Sequence, residues 1–310
     1  MESLFLVAVF IYNANGTHSF AVDSNSTRLL PYSILEEMDF DLEEFTFLYS
    51  ERIPPYLVRA EKHLVSAYPP GPAIMALPFY IPAFVSGVSA QSNLMIQVEK
   101  IAASVFVALS AALIYQCIAS IEGGKTALLF ALIYAFGTSS LSISSQGLWQ
   151  HGPSQLLLVA SLYGLVRGRE RERWVGLAGL PLGGSVLCRP TDILVAVPLA
   201  VYVLHRHRQQ WIAFALGALP SVLFVAGYNL WYFGSVMRMG YDQGFFSGNG
   251  WATPFAEGLP GILFSPSRGI LIYSPVFIFA LWGAYLAWRS RNYVLFRYLT
   301  VSVILVVLLY

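Results

Sequence analysis

Leu165-Val166-Arg167-Gly168-Arg169-Glu170-Arg171-Glu172-Arg173-Trp174 is the stretch that decides how the rest of the chain is read. Arg167, Arg169, Arg171 and Arg173 sit between two apolar runs, Ser154–Val166 before them and Trp174–Cys188 after. Moving outward, basic turns recur at Lys125, at Arg206 and Arg208, and at Arg289, Arg291 and Arg297. Short basic turns after every second apolar run predict a polytopic membrane protein, with those turns in the cytoplasm.

Composition agrees. Of 310 residues, 56% are hydrophobic and 11% charged, where a soluble domain carries about 25% charged residues. A large soluble core is excluded, because too little charge is left to cover it. Mean hydropathy is +0.62. The net charge of +1 says nothing about partners; no nucleic-acid partner is expected. Cys117 and Cys188 lie inside apolar runs and form neither a disulfide framework nor a CxxC metal site. The N-terminus lacks the basic stretch and cleavage site of a secretory signal. Its apolar run, Leu4–Tyr12, is too short to span, since a spanning helix needs about 20 residues. Both ends look clipped, so a longer protein is expected.

The fold class expected is all-α, a single transmembrane helical bundle over residues 1–310. Spans are read at Ile101–Ile121, Thr126–Ile143, Ser154–Val166, Trp174–Cys188, Ile193–Leu204, Trp211–Phe233 and Gly269–Trp288, with a last run from Val294. With basic turns inside, the outer loops are 13–97, 144–153, 189–192 and 234–268. Residues 13–97 form a long first extracytoplasmic loop carrying juxtamembrane helices, and 234–268 a second. Pro72–Val88 is apolar, but Pro72, Pro78 and Pro82 disfavour an uninterrupted spanning helix. It is expected to lie on the outer face, since a crossing would move Arg167–Arg173 outside. There is no inverted repeat and no ionisable residue inside the long runs, which speaks against a transporter.

The outer loops hold the candidate chemistry. Asp23-Ser-Asn25-Ser-Thr-Arg28 places a carboxylate at the membrane edge with an arginine five residues on. It is either a general base held ionised by Arg28 or a helix N-cap. The acidic run from Glu36 to Glu44 reads as a solvated loop face, and its Phe40, Leu42 and Phe45 as an amphipathic piece resting on the membrane. Ser66-Ala-Tyr68-Pro-Pro-Gly71 is a stiff turn presenting Tyr68 at the interface. His151, beside Trp149 and Gln150, is either an interfacial hydrogen-bonder or a ligand. Arg189 ends an apolar run on the Arg-poor side, where a charge needs a partner or a substrate; Asp192 is the alternative partner. The late loop holds Arg238, Tyr241, Asp242, Glu257 and Arg268. Gly123-Gly-Lys-Thr126 lacks the first glycine of a phosphate loop, and His205-Arg-His-Arg208 reads as a topology anchor.

The order of these pieces resembles the polytopic, lipid-phosphate-sugar-dependent (GT-C type) glycosyltransferases, the class of protein O-mannosyltransferases and lipid A aminoarabinose transferases. Ala67-Tyr-Pro-Pro-Gly-Pro-Ala73 is similar to the Pro-Pro turn of their first outer loop. Gly176–Pro190 is similar to their Gly-rich helix ending in a basic residue. The segments Asp23–Pro31, Ser66–Pro72, Leu148–Pro153, Phe233–Tyr241 and Leu263–Pro275 resemble a bacterial group of such proteins. The chain departs from the class in two places: Asp23 is followed by Ser24 rather than a glutamate, and the hairpin at His151 carries no carboxylate.

The resemblance implies an inverting transfer of a sugar from a polyprenyl-phosphate donor to a lipid, glycan or protein acceptor. The active side would face the exterior of a bacterial inner membrane. Asp23 would be the catalytic base. Asn25, Arg28, Tyr68, His151, Arg189, Asp192, Tyr241, Asp242 and Arg268 would bind substrate, with Arg189 on the lipid phosphate. A divalent metal ion is left open. The rival readings are a lipid-linked sugar flippase or transporter and a non-catalytic membrane scaffold.

Overall fold

The computed structural model of the chain describes residues 1–18, 22–48, 52–242, 253–267, 269–290 and 293–309, with Asp23 described in its backbone alone. The architecture is all-α apart from one two-stranded hairpin. Its centre is α4 (Leu94–Glu122), a helix of 29 residues. No glycine or proline interrupts it, and at 1.5 Å per residue it is about 43 Å long. Its small residues, Ala102, Ala103, Ala108, Ala111 and Ala112, are buried, which lets neighbouring backbones come close.

Helix α4 packs on α1 (Glu2–Ala14), α5 (Gly124–Phe136) and α6 (His151–Arg167). Gly123, at φ +90, turns α4 into α5, a backbone conformation that only glycine adopts without strain. Although too short to span by length, α1 runs antiparallel along most of α4. Gln116 donates to the Met1 sulfur at one end of the pair, and Lys100 to the Asn15 side chain (2.7 Å) at the other.

After α6 come α7 (Arg173–Leu177), α8 (Gly179–Cys188), α9 (Ile193–Arg206) and α10 (Trp211–Phe233). Helix α8 packs against α10 through glycine. A Cβ on Gly179 would lie 1.9 Å from the Phe214 carbonyl oxygen, and one on Gly183 2.8 Å from that of Ala218. The chain closes with α11 (Phe255–Phe264), α12 (Ile270–Tyr273), α13 (Ile278–Arg289) and α14 (Val294–Leu309).

Two of the expected spans are shorter than read. Gly269–Trp288 is broken at Ser274 (φ −142, ψ 67) between α12 and α13, because the residue before Pro275 is pushed out of the helical region. Thr126–Ile143 stops helically at Phe136, and a π-helical turn follows at Ser140–Ser144. Among the described residues two segments are long and apolar enough to cross a membrane, Leu94–Glu122 and Arg208–Phe233.

The first long loop folds onto one end of the bundle. It contains α2 (Val22–Glu36), strands β1 (Leu57–Ala60) and β2 (His63–Ser66), and α3 (Gly71–Val85). The strands pair antiparallel, Leu57 opposite Ser66 and Ala60 opposite His63. Pro78 and Pro82 do not break α3, contrary to the expectation from their number. Both ends of α3 nevertheless stay at one end of the bundle. Gly71 abuts the end of α8, while Tyr32 joins the segment after α3 to the start of α4 by donating to the Val88 carbonyl (2.7 Å) and the Met95 sulfur. The acidic run is less solvated than expected. Asp41 is buried and pairs with His63 at 2.9 Å, and burial pushes the Glu44 carboxyl up to about 7.

The basic turns gather at the opposite end. Tyr293 donates to Glu122 (3.2 Å), His205 meets Tyr298, and the charges of Arg169 and Arg206 both act on Tyr202.

Candidate functional site

The turn at Tyr68 is built from three directions. The Ser66 hydroxyl donates to that of Ser26 on α2 (2.9 Å) and accepts the Tyr68 backbone N–H (3.0 Å). Gly71 meets the end of α8, where an added Cβ would lie 2.7 Å from the Leu187 carbonyl oxygen. A Cβ on Gly240 would lie 2.5 Å from the Ala67 carbonyl oxygen. These close approaches hold Tyr68 between α8 and the turn Gly240–Asp242. There the Tyr68 and Tyr241 rings meet edge to face at 5.7 Å, and Gln150 donates to the Tyr241 hydroxyl.

Arg189 leaves α8 in extended backbone, one residue after Cys188. Its guanidinium acts electrostatically on both His151, at the mouth of α6, and Asp192, in the turn before α9. Asp192 is buried and accepts the Ser154 hydroxyl from the first turn of α6. Burial pushes its carboxyl up to about 6, against the opposing pull of Ser154 and Arg189. His151 packs beside Trp149, whose buried indole N–H has no hydrogen-bond partner among the described residues.

The first turn of α2 carries Asp23, Ser24 and Asn25. Asp23 lies within α2 as described (Val22–Glu36), and its side chain falls outside the described residues. Arg28 donates to the Asn25 side chain at 3.3 Å and faces a residue that the sequence reading passed over, Glu99. Glu99 is 4% exposed on α4, accepts the Leu148 backbone N–H (3.0 Å) and is hydrogen-bonded by Ser24. Reading the first span from Ile101 left Glu99 and Lys100 outside it, although α4 begins at Leu94. Their signal was present: adjacent charges, flanked by Val98 and Ile101, within the first turns of an apolar helix.

Asn25, Arg28, Tyr68, His151, Arg189, Asp192 and Tyr241 thus share one end of the bundle. Asp242 is exposed and accepts the Met239 N–H of its own turn (2.9 Å). Arg268 lies outside the described residues. Among the described residues no three of His, Cys, Asp and Glu are grouped to hold a metal ion.

The model of one family, dolichyl-phosphate-mannose-protein mannosyltransferase, matches residues 77–231, from the middle of α3 to the end of α10. No curated protein and no solved structure matches the chain. The family match takes in half of the sequence and includes Glu99, the hairpin at His151 and the Arg189–Asp192 turn, so the chain belongs to the dolichyl-phosphate-mannose-protein mannosyltransferase family.

Proposed function

We propose that the chain transfers a sugar from a polyprenyl-phosphate donor to an acceptor hydroxyl on the extracytoplasmic side of a membrane, with inversion. The observation that carries this is convergence. Residues from α2, the Tyr68 turn, the His151 hairpin, the end of α8 and the Tyr241 turn meet at the end of the bundle opposite the basic turns. A donor with a long lipid tail and a charged head suits a site at such an end, with the tail in lipid and the head among polar side chains.

In this reading Asp23 takes the proton of the acceptor hydroxyl. The acceptor oxygen forms its bond to the anomeric carbon from the face opposite the phosphate. The bond from that carbon to the phosphate oxygen breaks, and its electron pair leaves on the phosphate. Arg189 stabilises the departing charge through charge-assisted hydrogen bonds. Tyr68 and Tyr241 offer aromatic faces to the sugar. The buried Trp149 N–H, unpartnered among the described residues, supports a ligand here, because such a donor costs about 1–3 kcal/mol until an oxygen meets it.

The test is Asp23→Asn, assayed with labelled polyprenyl-phosphate sugars and a membrane lipid extract. Asn keeps size and hydrogen bonding but takes no proton, so turnover should fall by roughly 10²-fold or more with donor binding intact. A residue that serves the helix N-terminus alone would tolerate the change, since Asn and Asp cap about equally well. Near-normal turnover would remove Asp23 as the base.

A further inference from the structure

Glu99 is placed where no structural economy requires a carboxylate. A buried carboxyl group is costly unless hydrogen bonds meet it, and here separate elements supply them. The Leu148 N–H donates to one oxygen at 3.0 Å, the Ser24 hydroxyl hydrogen-bonds the carboxyl group, and the Arg28 charge acts on it; Tyr80 is near enough to feel the Glu99 charge. Ser24 and Arg28 belong to the helix that carries Asp23. Leu148 stands two residues before Gln150 and three before His151. Tyr80 lies on α3, which starts at the Tyr68 turn, and is fully buried. The hydrogen bonds to Glu99 thus come from two segments, α2 and the 144–153 hairpin, that are far apart in sequence.

We propose that Glu99 is a positioning residue: its carboxylate clamps the first turn of α2 to the 144–153 hairpin, setting Asp23 in register with His151 and Arg189. The inference rests on the glycosyl-transfer reading for its kinetic consequence but not for the clamp itself. Because α4 is long and packed on three helices, it is a rigid base from which one side chain can hold two otherwise independent loops. A loosened α2 would still let the donor phosphate reach Arg189, so the loss belongs in turnover rather than in donor affinity.

The test compares the full chain, Glu99→Gln and Glu99→Ala in detergent, at a temperature where melting curves show all three folded. Gln retains an acceptor for the Leu148 amide, so turnover should fall about 10-fold in Glu99→Gln and about 10²-fold in Glu99→Ala, the scale expected for a misplacement near 1 Å. The donor KM should stay within about threefold. Turnover of Glu99→Ala close to that of the parent, or a loss carried by KM, overturns the proposal. A second arm needs no activity. A cysteine at Asn25 is labelled by a maleimide in membranes, with and without Glu99→Ala, and its rate should rise about tenfold as the turn opens. Unchanged labelling sinks the clamp. A parent chain that transfers no sugar, with labelling that still responds, sinks the transfer reading and leaves the clamp standing.

Discussion

Arg189 shows how one residue can be read two ways until its surroundings are known. Asp192, three residues on, is a plausible partner by spacing, yet the Ser154 hydroxyl already binds that carboxylate, and the arginine's charge also reaches His151. Arg189→Ala should reduce donor use by roughly 10- to 100-fold, the scale of a lost charge-assisted hydrogen bond. Arg189→Lys should keep part of the activity, because lysine supplies the charge without the planar fork. Kinetics at varied donor concentration check both. If Arg189→Ala combined with Asp192→Ala restores activity, Arg189 is a partner of Asp192 and not of the phosphate. Asp192 makes a separate prediction. Burial holds its carboxyl at about 6 in the folded chain, above the ordinary value of 3.8, so folding favours the protonated form. Below pH 4 there is no penalty. As pH rises from about 4 through 6 stability is lost, by about 3 kcal/mol at about 1.4 kcal/mol per unit. Asp192→Asn should therefore melt with the parent at pH 4 and above it at pH 8; a difference independent of pH would refute the shift. Tyr68, His151, Arg189 and Tyr241 were legible because each stands in a polar break between apolar runs. Glu99 carried a signal too, as one of two adjacent charges flanked by Val98 and Ile101, but charge drew the span boundary that left it out.

At the scale of elements, close packing decides more than propensity. Helix α8 meets α10 where Gly179 and Gly183 leave no room for a Cβ, whereas Gly227 in α10 and Gly283 in α13 have nothing within 4 Å. Gly227→Ala and Gly283→Ala should be neutral or stabilising by up to about 1 kcal/mol, through helix propensity. Gly179→Ala should destabilise by about 1–3 kcal/mol or more as the helices are forced apart. Melting temperatures in detergent decide, and equal behaviour of all three would contradict the packing. The hairpin β1–β2 was invisible in the sequence for a local reason. Its strands have four residues each, and its turn, Glu61-Lys62, puts Glu61 at φ +51 without the Asn-Gly or Gly that usually marks such a turn. The break at Ser274 was legible, since Pro275 announces it, but hydrophobicity alone carried the reading across it. Prolines erred the other way in α3, where an early Pro72 suits a helix N-terminus and packing tolerates Pro78 and Pro82.

For the whole molecule, the proposed orientation puts the basic turns in the cytoplasm and the convergent site outside. Single cysteines at Arg169, Arg206 and Arg289 should resist an impermeant thiol reagent in intact cells. Cysteines at Arg59 and Met237, both exposed, should label. The native Cys117 and Cys188 are buried and should stay silent. Labelling at position 169 would reverse the orientation. What the sequence determined by itself was the apolar solvent, the helical class, and the alternation of basic and polar turns. These are set by composition and by charge along the chain, which act locally and need no contact between distant residues. The tertiary structure decided which polar turns share a point. Gly71 against Leu187, Gly240 against Ala67, and Glu99 between Ser24 and Leu148 join segments far apart in sequence. Such junctions depend on how each helix is rotated and how closely backbones approach, and those are properties of packing that no spacing along the chain encodes.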